Sequence, residues 1–226
     1  GQVGDGHFRV WAKGLRKGES VGLTGAPGND YWRAMRAGFR GDWNTGSGGR
    51  VTVSGGVHDG TTGDRWNLAD LTSPAGFVPT PMTQVNRGAH LLGRHEWYSE
   101  SGDESVLQAY VDRTELVVQN AIRENRTTAD LDFQRRMRIG DRNDLVWGLG
   151  YRHSRDSVDT QGVFLTLQPT ERTYRLMSAF VHDEITLVPE SLRLILGDRL
   201  EHNSFTGLES QPTARLMWTP SPSQAV

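Results

Sequence analysis

The sequence predicts an all-β fold, an antiparallel up-and-down transmembrane β-barrel segment of about ten strands. Three observations predict it. Stretches of about ten residues alternate in polarity with a period of two, short and long connections alternate between them, and tryptophans gather beside the short connections. An outer-membrane barrel has tight turns at its periplasmic end and longer loops at its extracellular end, so this alternation of connections is typical of one.

Each predicted strand has one mainly apolar and one mainly polar face. The predicted strands are Phe8–Lys13, Trp32–Trp43, Arg50–His58, Ala89–Tyr98, Ser105–Arg113, Ala129–Ile139, Leu145–Arg152, Arg175–Ile185, Leu192–Glu201 and Thr213–Trp218. Arg135 is an exception on an apolar face, and Asp198 interrupts another. The stretch from Arg175 is apolar on both sides, and we expect Met177, Ala179 and Val181 to point outward.

The connections differ in length at the two ends of the predicted sheet. The short ones are Asn44–Gly49, Ser99–Glu104, Gly140–Asp144, Val188–Ser191 and Pro220–Ser223, and the long ones are Lys17–Asp30, Asp59–Gly88, Val117–Thr128, Ser154–Arg172 and Asn203–Ser210. Trp43, Trp97, Trp147 and Trp218 lie beside short turns. An indole buries its ring while its N–H stays near water, so this placement predicts an aromatic girdle at a membrane interface.

Composition limits the class of protein. The chain has 226 residues, 35% of them hydrophobic, with a mean hydropathy of -0.55. No segment approaches the roughly 20 apolar residues of a spanning helix, which excludes an α-helical membrane protein. A net charge of -2 gives no reason to expect a nucleic-acid partner, and the absence of cysteine excludes disulfides and thiolate metal sites. Because the first residues lack a signal-peptide pattern and the last follow a turn-like Pro-Ser-Pro-Ser, we expect an internal piece of a longer protein.

Two other classes stay open at this point. A soluble β-sandwich or propeller that binds carbohydrate or protein also has strands with one apolar and one polar face, although it has no reason to collect tryptophan at one rim. A membrane enzyme on a smaller barrel is the second alternative. The sequence contains no nucleophile elbow, phosphate-binding loop or dinucleotide fingerprint, so we expect no enzyme. The histidines are scattered, with His90 and His95 on opposite faces of one strand, and we expect neither a protein-bound metal nor a cofactor.

Three consecutive motifs near the end of the chain resemble TonB-dependent outer-membrane receptors. They are Phe180–Leu187, Leu192–Asn203 with its Gly-x-Arg element, and Gln211–Pro220 with its Pro-x-x-Arg-x-x-x-x-Pro element, and Gly38–Trp43 and Gly148–Arg152 fit other strands of that barrel. The resemblance implies a whole barrel of about twenty-two strands with an N-terminal plug. It also implies uptake of a scarce ligand, such as a ferric siderophore, haem, cobalamin or a sugar, energised through TonB. We find no plug-like segment and no TonB box, so residues 1–226 are expected to form a partial barrel domain in the outer membrane.

The predicted inner face carries a series of arginines. They are Arg36, Arg40, Arg94, Arg136, Arg152 and Arg199, together with Arg138 and Arg215. An arginine facing lipid at the midplane costs roughly 2–4 kcal/mol, so an inward orientation is favoured. These residues either contact a plug or an anionic ligand, or form a solvated wall of mutually paired charges. Trp66 and Phe77, in the connection Asp59–Gly88, are the candidate outer-loop contacts for a ligand, and a variable surface loop is the alternative there.

Overall fold

One continuous antiparallel sheet accounts for almost the whole chain. The computed structural model describes residues 1–23, 25–46, 48–160 and 166–220. Its strands are β1 (Gln2–Val3), β2 (Gly6–Lys17), β3 (Trp32–Asn44), β4 (Arg50–Ala69), β5 (Phe77–Tyr98), β6 (Glu104–Val118), β7 (Ile122–Ile139), β8 (Asn143–Thr160), β9 (Glu171–Val188), β10 (Leu192–Asn203), β11 (Gly207–Ser210) and β12 (Thr213–Trp218). Each strand pairs with the next along the chain up to β11, and β12 pairs with β10. The predicted all-β, antiparallel up-and-down fold is therefore confirmed.

All ten predicted strands are present, and the two additional ones are short. β1 has 2 residues, and β11 has 4 residues. β11 and β12 pair with successive halves of the same edge of β10. Pro212 separates them, and a proline has no N–H to give to a ladder. Sequence patterning missed β11 because it lies inside the predicted connection Asn203–Ser210.

The predicted long connection Lys17–Asp30 does separate β2 from β3, but Asp59–Gly88 and Val117–Thr128 are mostly strand, and this part of the prediction was wrong. Between β4 and β5 only residues 70–76 form the turn, and between β6 and β7 only residues 119–121 do. β8 likewise runs to Thr160 and β9 starts at Glu171; of the connection between them, residues 161–165 lie outside the described part. Beyond the apolar band, apolar residues such as Met82 and Val85 lie on opposite faces among polar ones, so the alternation on which the prediction depended is absent. Pro79 and Pro81 are tolerated because β5 pairs with β6 only from Gln84 onward.

The short turns were predicted correctly where the structure describes them. Residues 45–49, 99–103, 140–142 and 189–191 separate the strands at this end of the sheet. The fifth, Pro220–Ser223, lies outside the described residues after Pro220.

The apolar side chains share one exposed face. Directly paired residues lie on the same side of a sheet, and the pairing places Phe39, Leu91, Leu131 and Met177 on one side, as predicted. Their exposed fractions are 44%, 48%, 49% and 56%. Strands contact only their sheet neighbours, and no second layer covers this face in the described part of the chain. These side chains are therefore not the core of a sandwich.

An aromatic cluster lies near the short turns. The ring centroids of His95 and Trp97 are 4.8 Å apart, those of Trp97 and Phe133 are 6.2 Å apart, and those of Phe133 and Trp147 are 5.3 Å apart. Trp43 stands one residue from the end of β3, on the same face. Trp43 and Trp97, each one residue from the end of its strand, thus meet one rim of the apolar face as a girdle requires, whereas Trp147 lies four residues inside β8.

Both polar exceptions on the apolar face have structural partners. Arg135 Nη2 donates to Asp103 Oδ2, 2.9 Å away in the turn between β5 and β6. Asp198 accepts hydrogen bonds from Ser210 Oγ at 3.0 Å and from the backbone N–H of Gln211 at 3.1 Å. Asp198 therefore occupies the point where β11 gives way to β12, and the outward face of β10 continues past it.

The end of the sheet opposite the short turns has a small core of its own. Met82, Val118 and Ala121 are buried there, with Trp66, Leu116 and Ile122 packed against them. The connection before β3 is held by Asp30, which accepts from the backbone N–H of Ser20 at 2.6 Å and from Lys17 Nζ at 3.1 Å. These two donors lower the pKa of Asp30 to about 2.

No helix in the described part of the chain is long and apolar enough to cross a membrane.

Candidate functional site

The polar face is a wall of paired charges. Five of the eight predicted arginines form an ion pair: Arg40 with Asp42, Arg94 with Glu96, Arg136 with Asp144, Arg152 with Asp130, and Arg199 with Glu201. Arg36, Arg138 and Arg215 have no carboxylate within ion-pair distance among the described residues. Guanidinium nitrogens and carboxylate oxygens suit each other because both present two atoms in a plane. Such a neutralised wall remains compatible with water but holds no fixed excess of charge for an anion. For these five arginines, contact with a ligand or plug stays a prediction.

Arg36 differs from the other five. It stands directly opposite Lys13 on β2 and directly opposite His58 on β4. Within the described residues no carboxylate lies within ion-pair distance of Arg36 or Lys13. His58 Nε2 is instead 2.7 Å from Asn86 Oδ1. A local excess of positive charge therefore remains at this place on the polar face.

Glycines form the floor beside Arg36. A Cβ added to Gly38 would lie 2.8 Å from Cζ2 of Trp11, and one added to Gly56 would lie 2.9 Å from Cε1 of His90. The rings of Trp11 and His90 therefore lie flat over neighbouring strands, where a larger residue would displace them. Gly38 and Gly56 are also paired with each other across the ladder.

These residues enclose a hollow of about 680 Å³, which we call the Arg36 hollow. Trp11, Trp32, Arg36, His58, Asn86 and His90 are among its lining residues. Its lining combines aromatic rings, the guanidinium groups of Arg33 and Arg36, the Asp59 carboxylate and several further donors. With two guanidinium groups and one carboxylate it suits an anionic ligand with flat or apolar groups. The sequence singled out Arg36 alone; the rings join it only through the strand register.

A second hollow, the Tyr174 hollow, has a volume of about 590 Å³. It brings three arginines, Arg126, Arg152 and Arg172, to the aromatic side chains Tyr110, Tyr174 and Phe205. The rings of Tyr174 and Phe205 stack at 5.4 Å. Arg126 pairs with Asp156 at 2.6 Å, whereas Arg172 has no carboxylate within ion-pair distance among the described residues. Of the residues lining this hollow, the sequence singled out only Arg152; the others join it through the strand register.

Trp66 and Phe77 lie on strands and not in a loop. Trp66 packs against the small core, and its Nε1 donates to Asp64 Oδ2 at 3.1 Å. Phe77 is the first residue of β5 and is 42% exposed. Neither joins the Arg36 hollow, and their contact with a ligand stays a prediction.

Metal-ligating side chains do not gather in the described part of the chain: no group of three or more His, Cys, Asp or Glu residues has a suitable arrangement there. The pairing places His95 beside Val51 on the apolar face and His90 beside Gly56 on the polar face, so the two point in opposite directions as predicted.

Comparison with known proteins shows the fold. No protein-family model and no curated protein sequence matches the chain. Among solved structures, the siderophore receptor PirA from Acinetobacter baumannii is similar with a TM-score of 0.66 and 14% identity over 96% of this chain and 36% of PirA. FpvAI, in its complex with pyocin S2, is similar with a TM-score of 0.67 and 10% identity over 98% of this chain and 36% of that chain. The copper transporter OprC is similar with a TM-score of 0.63 and 12% identity over 94% of this chain and 37% of OprC.

The chain thus spans little more than a third of the length of these proteins. Its fold is that of a part of the barrel of TonB-dependent receptors, as the motifs predicted.

Proposed function

We propose that the chain is a section of the barrel wall of an outer-membrane receptor that takes up a scarce ligand, such as a ferric siderophore, haem or cobalamin. The observation that carries the proposal is the single-layer sheet, whose large apolar side chains share one exposed face. Its similarity in fold to receptors and transporters supports it. In this proposal residues 1–226 are a partial barrel domain, and the plug and the contact with TonB belong to other parts of the protein.

The two faces divide the work. The apolar face lies against lipid, where every backbone N–H and C=O must be paired within the sheet. The polar face lines a water-filled interior, where the paired arginines and carboxylates remain hydrated. Lys13 and Arg36, which lack carboxylate partners in the described residues, supply the fixed positive charge that attracts an anionic ligand or chelate into the Arg36 hollow.

Two experiments test this proposal in the full-length protein. Fractionation should place it in the outer membrane, and uptake by a deletion strain should be measured over a panel of iron, vitamin and sugar sources. Arg36→Gln removes the unpaired charge and should lower ligand affinity about tenfold, as the loss of one charged contact of about 1.4 kcal/mol predicts. Gly38→Val displaces the ring of Trp11 and should also lower ligand affinity. Gly93→Val is the matched control, because nothing lies within 4 Å of a Cβ added at Gly93.

The rival classes predict other outcomes. A soluble sandwich or propeller would express without detergent as a compact monomer, and that result would replace the present proposal. A membrane enzyme would react with a serine-directed probe. The receptor proposal predicts no such labelling.

A further inference from the structure

Six arginines on the apolar face form a row at the end of the sheet away from the short turns. They are Arg16, Arg33, Arg87, Arg113, Arg155 and Arg175, all exposed, and we call them the arginine belt. Four of them lie two residues along the chain from an apolar residue on the same face: Arg33 from Met35, Arg87 from Ala89, Arg113 from Val111 and Arg175 from Met177. The belt therefore lies along the edge of the apolar band that is farther from the short turns, on several neighbouring strands.

The belt has more positive charge than its carboxylates balance. Arg87 pairs with Asp59 at 2.7 Å, and Arg155 pairs with Glu171 at 2.7 Å. Arg16, Arg33, Arg113 and Arg175 have no carboxylate within ion-pair distance in the part of the chain that the structure describes.

Two of these arginines stand directly opposite each other. Arg16 on β2 and Arg33 on β3 are partners in the ladder. Like charges in directly opposite positions destabilise a sheet unless something lies between them. An anion placed between two guanidinium groups removes that repulsion and accepts paired hydrogen bonds from each.

A hollow lies beside another unpaired arginine. It has a volume of about 350 Å³, and Arg87, Ala89, Arg113, Glu115 and Asn125 are among its lining residues. The carboxylates of Asp59 and Glu115 also line it, and both are within ion-pair distance of Arg87. Arg113 is therefore the guanidinium that this hollow offers to an anion, and its partner across the ladder is the apolar Ala89.

We propose that the arginine belt binds phosphate groups of anionic membrane lipids in the leaflet on the side of the long hairpins. This inference rests on the proposed membrane placement of the apolar face. A lipid satisfies both halves of the site, because its phosphate meets the belt while its acyl chains cover the apolar band below. A free phosphate would satisfy only the upper half. At the opposite rim of the same face, tryptophans and the Arg135–Asp103 pair take the place of unpaired arginines.

The test uses the full-length protein in phosphatidylcholine nanodiscs with and without phosphatidylglycerol, and counts retained lipids by native mass spectrometry. Arg33→Gln/Arg113→Gln removes two belt residues. Each of the two substitutions should lower the retention of phosphatidylglycerol relative to phosphatidylcholine about fivefold, as expected for one basic residue near an anionic surface. Arg9→Gln is the matched control: Arg9 is exposed, lies on the polar face opposite Arg40, and should retain the wild-type ratio.

The outcomes separate the possibilities. An unchanged ratio in the double variant, or an equal loss in Arg9→Gln, overturns the belt as a lipid site. Displacement of the retained lipid by inorganic phosphate alone would show an anion site without lipid recognition, which also overturns the proposal. Heat-modifiable migration in gels checks that each variant is folded. Absence of the wild-type protein from the outer membrane would instead contradict the proposed function, before any lipid is counted.

Discussion

The orientation of the two faces can be tested at one pair of neighbouring residues on β7. The apolar face of this strand runs from Ala129 to Ile139. Ten residues at about 3.3 Å each, tilted by about 40°, cover a height of about 25 Å, which is the height expected for the apolar band of a barrel. Phe133 lies near the middle of this band, and the adjacent Gln134 points to the other face.

An arginine at position 133 would place its charge near the midplane of the bilayer. The expected loss is about 2–4 kcal/mol of unfolding free energy, to which the lost packing of Phe133 against Trp147 adds about 1 kcal/mol. An arginine at position 134 enters the hydrated wall of paired charges. We expect Gln134→Arg to change the stability by less than about 0.5 kcal/mol.

The assay is reversible unfolding by urea of the full-length barrel refolded into lipid vesicles, followed by tryptophan fluorescence. Phe133→Leu is a further control, because it keeps an apolar surface and removes only the ring. Equal destabilisation by Phe133→Arg and Gln134→Arg would refute the assignment of lipid and water to the two faces. The reverse order would mean that the faces are exchanged.

Four further predictions follow from particular contacts. Asp103→Asn leaves Arg135 without its counter-charge and should lower the midpoint of urea unfolding, and the second change Arg135→Leu should restore most of that loss in a double-mutant cycle. Asp198→Ala removes the acceptor between β11 and β12; we expect a loss of about 1–3 kcal/mol and faster amide exchange in β12, and unchanged exchange would contradict this role. Residues 1–226 alone, with open strand edges, should not release dye from vesicles as a stable pore, because unpaired backbone groups are not tolerated in lipid. The lowered pKa of Asp30 means that its anchoring of the preceding connection is present above its unfolded pKa and is lost only as the pH falls through about 2; amide exchange at Ser20 measures this, and loss of protection in mildly acidic buffer would contradict it.

The fold was predictable from the sequence wherever a strand has one apolar and one polar face. The alternation between Met35 and Arg36, or between Leu131 and Asp132, records that difference directly. Beyond the apolar band, apolar and polar residues are mixed on both sides of the sheet, so the strands from Asp59 and up to Gly88 carry no alternation and were predicted as a loop. Their pairing is visible only in the register of β4 with β5.

The candidate site was predictable only in part, for a related reason. The alternation along β3 places Arg36 on the polar face. Neither its lack of a carboxylate partner nor its nearness to Trp11 and His90 follows from spacing along one strand. Both depend on which residues of neighbouring strands stand opposite each other. The same holds for Arg16 and Arg33. They are paired across the connection between β2 and β3, and the sequence does not fix the register of those two strands.

The stagger of the hairpins has a consequence for the interior. Trp43 stands one residue from the end of β3, but Ala179, in the same row of paired residues, stands about nine residues from the end of β9. At about 3.3 Å per residue and a tilt of about 40°, such a row climbs about 20 Å while crossing six strands. Arg36 and Arg172 are the first and last residues of such a row. The Tyr174 hollow therefore lies farther from the short turns than the Arg36 hollow, and six strands farther around the sheet. A solute descending from the long hairpins would meet Arg172 first and would reach Arg36 only after travelling part of the way around the wall.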